Sequence, residues 1–157
     1  MRLSVQVRRV AMRVAYVALR TYWFVARPRI VGVKCVLIQG DDVLLVRHTY
    51  GKRVWDLPGG TVRRREAPRD AAQREMHEEL GRRIEDWTSL GELYVNTNHH
   101  DDNLHLFQAR VADRELDLNL TELSEAAWFP RDALPAEQAR YVRAILKRVR
   151  ASETRSA

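Results

Sequence analysis

The sequence predicts one α/β domain that follows an N-terminal amphipathic helix. Two patterns support this class: short β-branched runs bounded by turn residues, and longer segments with apolar side chains at helical spacing. The chain has 157 residues, 45% of them hydrophobic. This length and composition suit one domain with a single core, and the chain is too short for two domains of ordinary size. We therefore predict a basic helix over 1–29, a globular domain over 30–150 and a disordered tail over 151–157.

The N-terminal segment predicts a helix with a narrow basic edge. Arginines recur in one stripe about 40° wide: Arg2, Arg9, Arg13, Arg20 and Arg27. They interrupt the ~20 apolar residues that a transmembrane helix needs, and no signal-peptide cleavage site follows the segment. We expect the broad apolar face to pack on the domain or on a second copy of the chain, as a homodimer. The alternative is an anionic membrane surface, with Trp23 and Phe24 inserted.

The next segment predicts a β-hairpin and a glycine-rich loop. Residues 30–38 and 43–49 are apolar, β-branched runs, and residues 39–42 between them favour a turn. A loop containing WDLPGG follows at 55–60. Its Pro58, Gly59 and Gly60 exclude regular structure and allow the backbone to approach a ligand closely.

The second half predicts two helices and two further strands. The first helix covers 71–80, with Pro68 in its first turn and Gly81 as its C-terminal stop. Strands are expected around 87–96 and 104–111. The last helix covers 136–150, with one apolar and one basic face.

The overall charge and the single cysteine limit the partners and the compartment. The chain carries 27 Lys and Arg against 21 Asp and Glu, and this net charge of +6 favours anionic partners such as phosphates, nucleic acid or an acidic membrane. Cys35 is alone, so neither an intrachain disulfide nor a cysteine-based metal site can form. We expect a cytoplasmic protein, with peripheral attachment to the membrane as the alternative.

Three glutamates on the first helix of the domain predict a cation site. Glu75, Glu78 and Glu79 fall within an arc of about 100° and repel one another. Carboxylates without cysteine are hard oxygen ligands, which suit Mg²⁺ or Mn²⁺ rather than zinc. A solvated charged face is the alternative, because Arg74 is spaced to pair with Glu78.

The spacing around these glutamates resembles the signature of the Nudix hydrolase family. Five residues separate Gly60 from Glu66, seven separate Glu66 from Arg74, and the run EMHEELG begins directly afterwards. The segments 55–60 and 122–135 also resemble those that flank the catalytic helix of the family, so the resemblance covers 30–150. Arg82 departs from it, since the family usually has an aliphatic residue there.

The resemblance implies an α/β/α sandwich with a mixed sheet, and hydrolysis of a nucleoside diphosphate linked to another group. It implies that the metal ligands are Glu75, Glu78, Glu79 and the backbone of Gly60. Glu66 and Arg74 match the pair that braces the loop against the helix. Glu122 matches a glutamate that joins the metal site or acts as a base in some relatives, and an exposed loop acid is the alternative.

Five further residues are candidates for contact with substrate, each with a structural alternative: Arg47, Trp55, Arg63, Arg65 and Asn98. Arg63 and Arg65 could grip phosphates or belong to a solvated surface. Arg47 could face the substrate cleft or have a structural role. Trp55 could stack a base or fill the core. Asn98 lies in the segment NTNHHDD, which could contact a base but is more typical of a turn between strands.

The sequence does not select a substrate. We expect a nucleotide-type phosphorylated small molecule, with no nucleotide cofactor. An enzyme that removes pyrophosphate from RNA 5′ ends is one alternative. A noncatalytic nucleotide-binding or membrane-surface module is another, against which the retained acidic positions argue.

Overall fold

The fold is built on one mixed sheet with a helix on each side. The computed structural model describes residues 5–26, 29–97 and 100–156. Its elements are, in chain order, α1 Val5–Ala26, β1 Arg29–Gln39, β2 Asp42–His48, α2 Pro68–Leu80, β3 Thr88–Thr97, β4 His100–Arg110, β5 Leu123–Pro130 and α3 Val142–Ser156. The five strands lie in the order β3-β4-β1-β2-β5. Only the central pair β1 and β4 is parallel, which makes the sheet mixed.

Apolar side chains on both faces of the sheet produce two cores, one on each face. The face that meets α2 buries side chains of β1, β2 and that helix: Val33, Cys35, Leu37, Leu44, Val46, Ala72, Met76 and Leu80. The opposite face meets α3 and buries a second set: Val36, Ile38, Val43, Leu45, Leu106, Ile145 and Val149. Because successive side chains of a strand point to opposite faces, one strand serves both cores. The predicted sandwich is confirmed.

The predicted hairpin is also confirmed. Strands β1 and β2 are antiparallel, and the pairs Ile38 with Val43 and Gln39 with Asp42 close the turn. Gly40 lies between them with φ 59°, a left-handed conformation that glycine adopts without a steric penalty. The turn residues in the sequence were therefore sufficient to identify this connection.

Three features of the C-terminal part differ from the prediction. Strand β5 was not predicted, and it pairs with β2 across its whole length. The last helix begins at Val142 instead of residue 136, because the preceding segment pairs with Trp55. The N–H of Trp55 donates to the carbonyl of Glu137, and the N–H of Ala139 donates to the carbonyl of Trp55. It then continues through Ser156, where a disordered tail was expected. Its Glu153 accepts a 2.9 Å hydrogen bond from Arg131, a contact that ties the tail to the domain.

Helix α1 lies on the domain with its arginine edge inward. Arg9 donates to the carbonyl of Leu120 at 2.7 Å, and Arg13 donates to the carbonyl of Thr49 at 3.1 Å. The ring of Tyr16 lies 5.4 Å from that of Tyr50. The prediction that the apolar face packs on the domain is therefore wrong.

That apolar face remains on the outside of the chain. Val10, Val14 and Val17 are 58%, 65% and 63% exposed. In the described part of the chain, no helix is long and apolar enough to cross a membrane. The side chain of Trp23, which only the membrane alternative placed in a bilayer, is outside the part of the chain that the structure describes.

Candidate active site

The loop between β2 and α2 runs along β1 and brings its backbone to the first turns of the helix. The N–H of Val33 donates to the carbonyl of Gly60 at 2.8 Å, and the N–H of Cys35 donates to that of Pro58 at 2.9 Å. At Gly59, which has φ 142°, a Cβ would lie 2.1 Å from the Val33 oxygen. At Gly60 a Cβ would lie 2.4 Å from the Glu75 carboxyl group. Gly59 therefore requires glycine, whereas a side chain at position 60 would have to displace the Glu75 carboxyl group.

The three glutamates of α2 occupy different environments. Glu75 is 8% exposed and Glu79 only 1%, whereas the Glu78 side chain lies at the rim and is 39% exposed. Carboxylates are rarely buried unless something compensates their charge. A solvated face therefore does not describe Glu75 or Glu79.

Glu79 is the most deeply placed of the three. Its Oε2 accepts a 3.1 Å hydrogen bond from the N–H of Gly59. Burial raises the pKa of Glu79 to about 8, and the charges of Glu75 and Glu122 act in the same direction. The Nδ1 atom of His48 lies 3.9 Å from Oε1. Burial lowers the pKa of His48 to about 4, so this imidazole is neutral at neutral pH.

Arg74 joins the loop to the helix. It binds Glu66 with two parallel hydrogen bonds, of 2.8 Å from Nε and 2.9 Å from Nη2. Its Nη1 lies 2.6 Å from Oε1 of Glu75 and 3.1 Å from Oε2 of Glu78. Nη2 also donates to the carbonyl of Thr61 at 2.9 Å. One guanidinium thus holds two of the helix glutamates and the loop in one geometry.

Glu122 approaches the same carboxylates from the segment before β5. The N–H of Thr49, just after β2, donates to its carbonyl at 2.8 Å, and its side chain accepts a 3.2 Å bond from Asn119. Burial raises the pKa of Glu122, and the charges of Glu75 and Glu78 add to the effect. Its half-buried carboxylate therefore joins Glu75, Glu78 and Glu79 in one acidic group, as these four residues are called below, and does not belong to a solvated loop.

A cleft of about 860 Å³ opens beside this acidic group, and sequence reasoning missed several of its residues. Lys34 lies in its wall and donates to Asp56 at 2.8 Å and to the carbonyl of Leu57 at 2.9 Å. The hydroxyl of Tyr141 donates to the same Asp56 carboxylate at 2.6 Å. Burial opposes the charged form of Lys34, but the charges of Asp56, Tyr141 and Glu79 and the hydrogen bond to Asp56 together outweigh it and raise the pKa of Lys34 above its ordinary value. A lone lysine within a buried apolar strand was the available signal.

A sequence profile of the NUDIX domain matches residues 28–149, which is most of the chain. The chain belongs to the Nudix family.

Three relatives of this Nudix chain illustrate the range of similarity. An ADP-ribose pyrophosphatase of Mycobacterium tuberculosis (strain ATCC 25618 / H37Rv) is 36% identical over 64 residues, which span 40% of this chain and 31% of that protein. A MutT NUDIX hydrolase from Burkholderia pseudomallei has a TM-score of 0.72 at 25% identity, over 78% of this chain and 98% of that one. The NUDIX domain of Shewanella oneidensis NrtR, solved with ADP ribose, has a TM-score of 0.69 at 16% identity, over 80% and 89%.

The acidic group of this Nudix chain fits a hard divalent cation by its chemistry. In the described residues no three His, Cys, Asp or Glu side chains converge as a preformed metal site. The donors present are nevertheless all oxygen: the carboxylates of α2 and the Gly60 carbonyl, which keeps a lone pair beyond its bond from Val33. Burial is the main cause of the raised pKa values of Glu79 and Glu122, and repulsion from neighbouring carboxylates raises both further. A bound cation would relieve that repulsion.

The predicted substrate residues of this Nudix chain lie in different environments, and not all of them are close to the acidic group. Arg63 lies at the acidic group, with Nη2 3.0 Å from Oε1 of Glu78, and Arg65 is an exposed loop residue with φ 65°. Trp55 is 9% exposed and packs edge-on against Phe129, so it belongs to the core, as its structural alternative stated. Arg47 stacks over that tryptophan, 4.6 Å from the ring centroid, and does not line the cleft. Asn98 lies outside the described residues.

Proposed function

We propose that this Nudix chain is a divalent-metal-dependent hydrolase that cleaves a pyrophosphate linkage in a nucleoside di- or triphosphate derivative. The observation that supports it most directly is the burial of Glu75 and Glu79 beside the glycine loop, at the edge of a cleft of nucleotide size. Burying like charges opposes folding, and carboxylates buried at such a cost are typical of a functional site.

In this proposal Glu75, Glu78, Glu79 and the carbonyl of Gly60 hold Mg²⁺ or Mn²⁺. A bound cation supplies positive charge against the phosphate oxygens and lowers the pKa of the attacking water. Arg74 keeps the carboxylates in position through its bonds to Glu75 and Glu78. Because Arg74 is itself anchored by Glu66, the brace limits how far the ligands can move.

Two further residues have roles in this proposal, one in the proton transfer from water and one in compensating the charge of the phosphate. Water adds to one phosphorus as the bond from that phosphorus to the bridging oxygen breaks. A carboxylate of the acidic group takes the proton of this water, and Glu122 is a secondary candidate for that base, because no arginine neutralises its carboxylate in the described residues. Arg63, at the rim beside Glu78, is placed to contact phosphate oxygens.

ADP-ribose is the first substrate to test. The curated relative is named an ADP-ribose pyrophosphatase, and the NUDIX domain of NrtR was solved with ADP ribose. The matched segment spans less than a third of the curated relative, so this choice is a proposal about the nucleotide class and not a transfer of its activity.

The experiment is a panel of ADP-ribose, other nucleoside diphosphate derivatives, nucleoside triphosphates and RNA with a 5′-triphosphate, each with Mg²⁺ or Mn²⁺. Phosphate, pyrophosphate and nucleoside monophosphate are followed separately. We expect release from a small nucleotide that stops in excess EDTA. Turnover confined to the RNA would favour the RNA 5′-end enzyme, turnover that persists in EDTA would contradict the metal proposal, and binding without turnover would indicate a noncatalytic nucleotide-binding module.

A further inference from the structure

Helix α1 presents opposite faces to the domain and to the exterior. Arg9, Arg13 and Tyr16 contact the domain, whereas Val14 points about 160° away from Tyr16 around the helix axis. Val10 and Val17 lie within about 40° and 60° of Val14 on that outer side. The result is an amphipathic helix whose arginine edge contacts the domain and whose apolar face is exposed, a surface typical of an interaction site.

The charge of the whole chain is concentrated in the same segment. Residues 1–29 contain seven arginines and no acidic residue, so the remaining 128 residues carry 20 basic against 21 acidic side chains. The net charge of +6 is therefore not a property of the catalytic domain. It identifies the N-terminal segment as the part of the molecule that attracts anions.

This charge decides between the two candidate occupants of the apolar face. A second copy docked through α1 would bring two strongly positive segments together without any acidic residue to pair them. An anionic phospholipid surface supplies both an apolar layer and negative headgroups. Arg8 and Arg20, both exposed, lie about 120° to either side of Val14, where a helix lying in the headgroup layer places its basic side chains.

We propose that the outer face of α1, defined by Val10, Val14 and Val17, docks the chain on an anionic phospholipid membrane, with the helix parallel to the surface. The domain then sits on the opposite side of the helix. Tyr16 lines the cleft and packs on Tyr50, so the mouth of the cleft lies next to the docked helix. The proposal does not depend on the identity of the substrate.

The test is cosedimentation of the full chain with vesicles of equal parts phosphatidylcholine and phosphatidylserine, and with vesicles of phosphatidylcholine alone. We expect binding to the anionic vesicles that weakens with salt and is at least about tenfold weaker to the neutral ones. The variant Val14→Glu with Val17→Glu should reduce the binding by at least about tenfold, because it places two acids in the apolar layer.

The matched control makes the net charge of the chain more negative by the same amount, but at positions distant from α1. Arg83→Gln with Lys147→Gln changes two exposed domain residues and should bind within about threefold of wild type, since charges distant from the surface are screened. Unchanged melting curves show that both variants fold. Absence of wild-type binding to anionic vesicles would overturn the proposal, and so would equal binding by the valine variant. A wild-type dimer that the valine variant dissociates, without vesicle binding, would overturn it in favour of a second copy.

Discussion

The backbone N–H of Gly59 donates a 3.1 Å hydrogen bond to Oε2 of Glu79. This contact joins the tightest point of the loop to the most buried carboxylate of α2. The glycine is needed because its neighbour across the loop is the Val33 carbonyl, and the glutamate is held in a position from which water is excluded. The loop and the acidic group therefore form one structural unit.

Substitution of Gly59 by Ala should destabilise the protein by about 3 kcal/mol or more, because the new Cβ meets a backbone oxygen and the residue has φ 142°. Gly40→Ala is the control, since Gly40 also has positive φ but nothing lies within 4 Å of its Cβ. It should lose only about 1 kcal/mol. Urea unfolding measures both free energies, and equal losses would show that the close approach to Val33 does not matter.

Glu78→Gln and Glu79→Gln should each lower kcat by about 10²- to 10³-fold, because the amide keeps the size of the side chain but removes a charge that holds the cation. Glu75→Gln should have an intermediate effect and Glu122→Gln a smaller one. The control is Glu85→Gln, an exposed carboxylate outside the acidic group, which should have no effect. Steady-state turnover at saturating metal ranks the variants. Wild-type turnover in both Glu78→Gln and Glu79→Gln would mean that these carboxylates do not bind a catalytic metal.

Glu66→Gln should lower the melting temperature, since Arg74 loses a bidentate partner. Hydrogen bonds from Arg74 lower the pKa of Glu66 to about 2, below its value of about 4.3 in an unfolded chain. The stability from this carboxylate is therefore present above about pH 4.3 and is lost as the pH falls toward 2. Melting curves of wild type and variant should differ most near neutral pH and converge in acid. A difference that grows as the pH falls would contradict the brace.

Cys35 should be unreactive in the folded protein. It is fully buried, and burial raises the pKa of its thiol, with the charge of Glu79 adding to the shift. Because it is the only cysteine, labelling with a thiol reagent reports on this position alone. We expect no labelling until denaturant is added and then one equivalent. Rapid labelling of the native chain would show that β1 opens more readily than its central place in the sheet indicates.

The elements predicted well are those whose signals are local. Gly81 ends α2 in a left-handed conformation with φ 64°, and the Gly40 turn closes the hairpin. In both cases the backbone geometry depends on one residue and its immediate neighbours. Strand β5 was missed because its pairing partner, β2, lies about 80 residues earlier in the chain. A segment stabilised by such distant pairing carries a weak local signal.

The residues that meet around the loop were likewise predicted from the sequence, through the spacing of Glu66, Arg74 and the glutamates of α2. Tertiary structure decided how those groups differ. Glu75 and Glu79 are buried while Glu78 remains at the rim, because the loop and β1 cover only one side of the helix. The orientation of α1 was decided in the same way. Its amphipathic pattern favoured packing of the apolar face on the domain. Instead, the carbonyls of Leu120 and Thr49 accept hydrogen bonds from the arginine edge. Such bonds join segments that are distant in sequence, so the periodicity of the helix alone could not predict them.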